Sequence, residues 1–464
     1  MMGLMATKMK ISGFADDEIH PNTGEMQKQS FFQTSDRLNN SQEEKKSKKF
    51  LIIGIVLSLL LLISVSLYIF VISKSNILSP ISVGKSLTGN NSGNNSTSTE
   101  GKFENPLNGM LFSDSDAVKF KDLKPIAVMV NNYDIARPSA GLSQADVVYE
   151  VVAEAGITRI MPIFFSRIPP SVSSIRSARY YFVELASAYH PHYIHWGAAF
   201  VPPCQKLSSG DKGYCPPVGG KVETDPRVDA YDRIVQLGLA NLDGGNYSCD
   251  DSGCAFGRDP NKLGKVPLEH TAFVRLPLVY DLAKKIRPQE AWHKFTPIQD
   301  SLTFKDEEPA SSRGEIGLTT PITYKYWDTQ PAFDVKWVYD KDKNEYVRYQ
   351  GGVKQIDANN QQELRAKVVI VRLTRETPVG DKKGHLFHDV VGTGKVLVFQ
   401  DGKVISGTWQ RRTEEALDVY KDEKGEIIKL DRGQIWVQLV PSENKINYSA
   451  ASTSTVSPSP TKKP

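Results

Sequence analysis

A chain of 464 residues that is 40% hydrophobic and 24% charged has the apolar material for a globular core and the length for more than one domain. Its formal net charge of +4 is small and carries no basic arm, which argues against nucleic acid as a partner. No internal repeat is visible, which excludes solenoids and propellers.

Residues 1–49 are polar and rich in Gln, Asn, Ser and Lys, the composition of a disordered tail. Phe50–Ile72 (FLIIGIVLSLLLLISVSLYIFVI) is an uncharged apolar run, and ~20 helical residues suffice to cross a bilayer core. It predicts a retained transmembrane helix, the chain's link to a membrane. Lys45, Lys46, Lys48 and Lys49 precede the run, whereas only Lys74 and Lys85 follow it closely. The positive-inside rule then puts the N-terminus in the cytoplasm and the bulk of the chain outside a single-pass cell-membrane anchor. Residues 73–105, with the stretch TGNNSGNNSTSTEG, form a flexible linker, and residues 449–464 form a second disordered tail.

Residues 106–295 mix the two kinds of element. Ile126–Asn131, Asp146–Ala153 and Thr158–Phe165 are strand candidates, the last two joined by a tight hairpin at Glu154-Ala155-Gly156-Ile157. A serine pair then leads into Ile175, Ala178, Phe182 and Leu185, whose spacing predicts a helix to about Tyr189. On such a helix Arg176 and Arg179 share the first turn, where partial positive charge already resides. Tyr193–Gly197 follows as a strand, and Val228–Leu242 and Leu276–Ile286 as helices. An α/β layered domain with a mixed sheet is the economical assembly. Its loop 201–260 carries all four cysteines, Cys204, Cys215, Cys249 and Cys254. Outside the cytoplasm an even count points to disulfides, and proximity favours Cys204–Cys215 and Cys249–Cys254. The spacings do not suit a zinc site.

Residues 311–448 run strand after strand. Lys395–Gln400 and Lys403–Trp409 flank the hairpin signal Asp401-Gly402, and Gln434–Val440 closes the region. An antiparallel β-rich domain is predicted. Trp337, Trp409 and Trp436 fall at strand spacing, as core aromatics do.

Several linked motifs resemble the YerB-like bacterial lipoprotein family, a domain of unknown function with N- and C-terminal parts. They are Ile126–Asn132, Ala136-Arg137-Pro138, Gly141–Glu150, Gly156-Ile157-Thr158-Arg159 and Ile175-Arg176-Ser177-Ala178-Arg179. In the second region they are Tyr339-Asp340, Tyr346-Val347-Arg348, Gly407-Thr408-Trp409 and Gly433–Pro441. The resemblance spans roughly residues 120–445. It implies an anchored envelope protein with an α/β-plus-β fold and supplies no established catalytic residue. Two departures stand out: no lipobox cysteine lies near the N-terminus, where the apolar run takes its place, and the cysteine-bearing loop resembles an insertion.

The chemistry rests on Arg137, Arg159, Arg176 and Arg179 with Asp146, Glu150 and Glu154. Guanidinium forks bind phosphate or carboxylate bidentately, and a helix N-terminus adds N–H groups. The expectation is a site for an anionic, phosphate- or pyrophosphate-bearing cell-wall or lipid-linked ligand. The same residues also fit an internal salt-bridge network, since even spacing puts Asp146, Glu150 and Glu154 on one strand face. Two other functions are open: a phosphoryl- or glycosyl-transferring enzyme with Asp146 or Glu150 as base or metal ligand, and a scaffold for envelope proteins. His190, His192, His195 and His270 lack metal-ligand spacing and point to ordinary hydrogen-bonded imidazoles. No cofactor motif and no nucleophile motif of the G-x-S-x-G kind is present.

Overall fold

The computed structural model of the protein describes residues 102–200, 226–249, 251–381 and 383–449. A single eleven-stranded sheet runs through it. Its strands are β1 (Ile126–Val128), β2 (Val130–Asn131), β3 (Val147–Glu154), β4 (Ile157–Phe164), β5 (His192–His195), β6 (Ala240–Asp243), β7 (Val368–Thr374), β8 (Gly392–Gln400), β9 (Lys403–Arg411), β10 (Val419–Asp422) and β11 (Ile435–Pro441). The spatial order is β10-β9-β8-β7-β11-β3-β4-β1-β5-β6, with β2 paired to β4.

That order corrects the expected fold class. No α/β domain is followed by a separate antiparallel one. Instead β11 lies parallel between β7 and β3, with Val368 opposite Ile435 on one side and Ile435 opposite Val147 on the other. The near-continuous apolar run IWVQLV is what such a strand requires, because it is covered on both faces. The architecture is dominated by strands, and the longest helices among the described residues, α1 (Tyr180–Ser187) and α3 (Val279–Ile286), each have eight residues. The helix predicted over Val228–Leu242 divides into α2 (Ala230–Gln236) and strand β6. The transmembrane helix expected over Phe50–Ile72 lies outside the described residues. Among the described residues no helix is long and apolar enough to cross a membrane, so the structure lends that span no support.

Both predicted hairpins form. Ala155 and Gly156 link β3 to β4 with φ of 48° and 79°, and Asp401 and Gly402 link β8 to β9 with φ of 52° and 63°. Two successive positive φ values match the right-handed twist of the flanking strands. A Cβ on Gly156 would lie 2.7 Å from Gln330 Cγ, so the turn also needs glycine for its close approach to the second region.

The sheet is buried on both faces. On one, Tyr149, Met161, Phe182, Leu185, Val398 and Leu439 share a core under α1. On the other, Val148, Ile160, Val274, Trp337, Val369 and Trp436 pack beneath two smaller sheets. One is three-stranded, from Val172–Ser173, Phe256–Arg258 and Ala272–Val274. The other is five-stranded, built on Val335–Asp340 and Glu345–Gln350. The tryptophans expected in the core are there: Trp337, Trp409 and Trp436 are fully buried.

One ion pair locks the second region onto the first. Arg348 donates from Nη2 to Glu150 Oε2 at 2.6 Å, both side chains being almost wholly buried. The other carboxylate oxygen accepts from Asn132, Thr158 and Gln350 at 2.8–3.0 Å. The guanidinium lies 5.2 Å from the Trp337 ring centre and 4.6 Å from that of Trp436. Arg348→Ala leaves Glu150 buried without its counter-charge and is predicted to cost about 3–5 kcal/mol. Urea unfolding measures this, and the pair Glu150→Gln with Arg348→Met should recover most of the loss.

Candidate functional site: three arginines around one carboxylate

Strands β1, β5 and β6 run parallel as neighbours. In open α/β sheets ligands bind at the carboxyl ends of such strands. Here the segment Ser174–Ala178 crosses the ends of β1 and β5. Arg176 N–H donates to Met129 O just past β1, Trp196 N–H just past β5 donates to Arg176 O, and Ala178 N–H donates to Gly197 O. These bonds correct the expected helix start. Residues 174–178 are extended because their backbone groups pair with neighbouring strands, and α1 begins only at Tyr180. Ile175 is buried beside Val130 in one core, whereas Phe182 faces the other. Arg176 and Arg179 therefore do not share a helical turn. Arg179 is the residue that caps α1, in extended conformation with φ −129° and ψ 148°.

The strand-face expectation fails for a similar reason. A bulge between Val152 and Glu154 shifts the register of β3 against β4. Glu150 keeps the face of Val152 and Thr158, while Glu154 turns to the opposite face, that of Arg159, whose strand partner is Val151. The three carboxylates thus take three separate jobs. Asp146, fully buried, accepts from Asn105 and Asn108 side chains and from the Phe165 and Ser166 backbone at 2.7–3.1 Å, together with the Ser166 hydroxyl at 2.5 Å. Glu150 is held by Arg348. Both acids expected to serve an enzyme are thus buried and engaged by protein groups.

Among the described residues Glu154 is the carboxylate that pairs with Arg159 and Arg179. Its Oε1 accepts from Arg159 at 2.6 Å and its Oε2 from Arg179 at 2.9 Å. Arg159 also donates to Ser177 O at 2.5 Å, and Arg179 to Ala178 O at 3.0 Å. Arg176 is half-buried, and among the described residues its side chain has no hydrogen-bond or ion-pair partner; burial pushes its pKa down, opposed by the charges of Glu154 and Glu269. Buried nearby, Arg179 Nε and the Tyr193 hydroxyl have no hydrogen-bond partner among the described residues. Arg137 stands apart, donating to Asn132 O and Ala332 O with its guanidinium over Phe333.

The expected histidines are dispersed. His195 donates from Nδ1 to Gly197 O at 2.8 Å and accepts at Nε2 from Asn241; His270 accepts from Asn131 at 2.7 Å; His192 meets His293. Among the described residues no cluster could hold a metal ion. The disulfide Cys249–Cys254 is formed, while Cys204 and Cys215 lie outside the described residues. Sequence reasoning missed one pair beside Glu154, Asp381 and His385, which touch at 2.5 Å; the spacing D-x-x-x-H at 381–385, next to Gly380 and Gly384, was the available signal.

Burial raises the Glu154 carboxyl, but the charges and hydrogen bonds of Arg159 and Arg179 outweigh it and hold the pKa at about 2. A carboxyl depressed on folding adds stability above its unfolded pKa near 4.5, and that stability drains away as pH falls toward 2. Glu154→Gln is predicted to flatten the acid side of the stability curve between those limits, read from urea midpoints against pH.

Known proteins resemble this chain in sequence and in fold. Residues 113–207 match a family described as "Protein of unknown function (DUF3048) N-terminal domain", and residues 322–437 match its C-terminal domain. The chain is 28% identical over 346 residues to "Putative lipoprotein YerB" of Bacillus subtilis (strain 168), covering 74% of this chain and 88% of that protein. The crystal structure of the YerB protein from Bacillus subtilis aligns with a TM-score of 0.56 at 24% identity, over 75% of this chain and 100% of that one, and shows the shared fold.

Proposed function

Because the chain belongs to the YerB-like family, we propose that it is a membrane-anchored extracytoplasmic protein of the cell envelope, and that Arg159, Arg176 and Arg179 bind an anionic group there. The name of its Bacillus relative, a lipoprotein, supports the location. So does the Cys249–Cys254 disulfide, since disulfides persist in oxidising compartments. The ligand class is a phosphate or pyrophosphate carried on a cell-wall or lipid-linked molecule.

The observation that carries the binding reading is a charge imbalance: Arg159 and Arg179 both pair with the Glu154 carboxylate, and Arg176 beside them has no hydrogen-bond or ion-pair partner of its own among the described residues. A phosphoryl group supplies the missing negative charge and several acceptors at once. The first N–H groups of α1, which no helical carbonyl can satisfy, add to the attraction beside Arg179.

Pyrophosphate titrated calorimetrically into the protein tests the reading. Arg176→Ala with Arg179→Ala should weaken binding by at least tenfold, and Glu154→Gln should tighten it by freeing two arginines. An affinity unchanged in the double variant ends the proposal.

A further inference from the structure

A hairpin from the second region, with strands Glu376–Pro378 and Leu386–His388, reaches over the end of β3 to this site. Glu154 and His385 pair as an antiparallel bridge. His388 donates from Nε2 to Val152 O at 2.9 Å and its ring packs 4.5 Å from that of Tyr181 in α1. The hairpin is therefore anchored on both the strand that carries Glu154 and the helix that Arg179 caps.

At its tip Asp381 grips His385 twice. Oδ1 accepts the His385 backbone N–H at 3.0 Å, and Oδ2 lies 2.5 Å from Nδ1. A carboxylate at Nδ1 fixes the proton there and turns the other ring nitrogen into a bare acceptor. That nitrogen, Nε2, has no hydrogen bond among the described residues, although the side chain is only 8% exposed. Arg179 and Glu154 are the charges, besides Asp381, that His385 feels. Burial pushes the imidazole below its ordinary pKa, which keeps it neutral and able to take a proton at pH 7.

We propose that His385, oriented by Asp381, is a general base for hydrolysis of a phosphorus–oxygen bond in a phosphoester or phosphoanhydride held by Arg176 and Arg179. The inference rests on the anion site proposed above. In the step, the oxygen of a water forms the new bond to phosphorus while its proton passes to His385 Nε2. The bond from phosphorus to the leaving oxygen breaks, its electron pair stays on that oxygen, and the oxygen recovers the proton from Nε2. One water is consumed, the imidazole ends neutral, and no oxidant or reductant is needed. The arginines offset charge building on the phosphoryl oxygens.

The experiment follows product release from p-nitrophenyl phosphate, bis-p-nitrophenyl phosphate and pyrophosphate by the full chain, with pyrophosphate calorimetry in parallel. Turnover of at least one probe is expected, reduced about 100-fold in kcat by His385→Ala and by His385→Gln, as for loss of a general base. Pyrophosphate affinity should stay within about twofold, while Asp381→Asn should lower kcat and shift the acid limb of the pH profile. Diethyl pyrocarbonate should modify His385 in the unaltered protein, and pyrophosphate should protect it, which tests its place at the site without any substitution. Binding without turnover of any probe, turnover indifferent to His385, or modification that pyrophosphate leaves unprotected overturns the base and leaves the anion site standing. Absence of pyrophosphate binding fails both.

Discussion

Strand β11 sits parallel between β3 and β7, and the remaining architecture depends on that insertion. It carries Trp436 into the core beneath the five-stranded sheet and aligns Gln438 with Glu150. Glu150 in turn receives Arg348, so the sheet that holds β11 also holds the ion pair that docks the second region onto the first. Burying that pair is expensive unless every remaining lone pair is answered, and Asn132, Thr158 and Gln350 answer them. The chain therefore cannot fold its two regions as independent cores. The hairpin that brings His385 to Glu154 is placed by the same continuity, because it is fed from the end of β7.

The site depends on local departures from regular geometry within this rigid frame. A bulge near the end of β3 moves one carboxylate across the sheet, and an extended segment replaces the first turn of a helix. Each departure changes which charges meet. Without the bulge, Glu154 would point to the face of Glu150 and leave Arg159 without a carboxylate. Were residues 175–178 helical, the backbone of Arg176 could not span the ends of β1 and β5.

These departures explain what could be read in advance. Ala155-Gly156 and Asp401-Gly402 announced their hairpins because turn chemistry is local. The arginine set could be singled out because Arg176 and Arg179 stood out against an otherwise apolar pattern. The helix start was misplaced because Ile175, Ala178 and Phe182 are all buried, yet in two different cores, and a one-dimensional spacing cannot separate them. The parallel insertion of β11 was hidden because an apolar run reports burial on both faces without naming its neighbours. Arg348 and His385 escaped because their partners lie 198 and 231 positions away in sequence, 348 − 150 and 385 − 154, and only the fold joins them.

The remaining arginines show why the Glu154 centre is unusual. Of the fully buried guanidinium groups, Arg348 and Arg372 each meet a carboxylate, whereas Arg411 rests on the backbone carbonyls of Glu184, Thr413 and Glu414. Arg348 has Glu150 and two tryptophan faces, and Arg372 has both oxygens of Asp418 at 3.0 Å with Trp409 at 3.6 Å. Arg137, without a carboxylate in contact, is placed on backbone carbonyls over Phe333. Arg159, Arg176 and Arg179 differ as a group: like charges crowd one another, burial opposes the charged state of Arg159 and Arg176, Glu154 pairs with Arg159 and Arg179, and Glu154 and Glu269 act on Arg176 through charge alone. A scaffold could relieve this repulsion by losing Arg176, which holds no side-chain partner among the described residues. Its place past the carboxyl ends of β1 and β5 is the feature on which the proposed anion site rests.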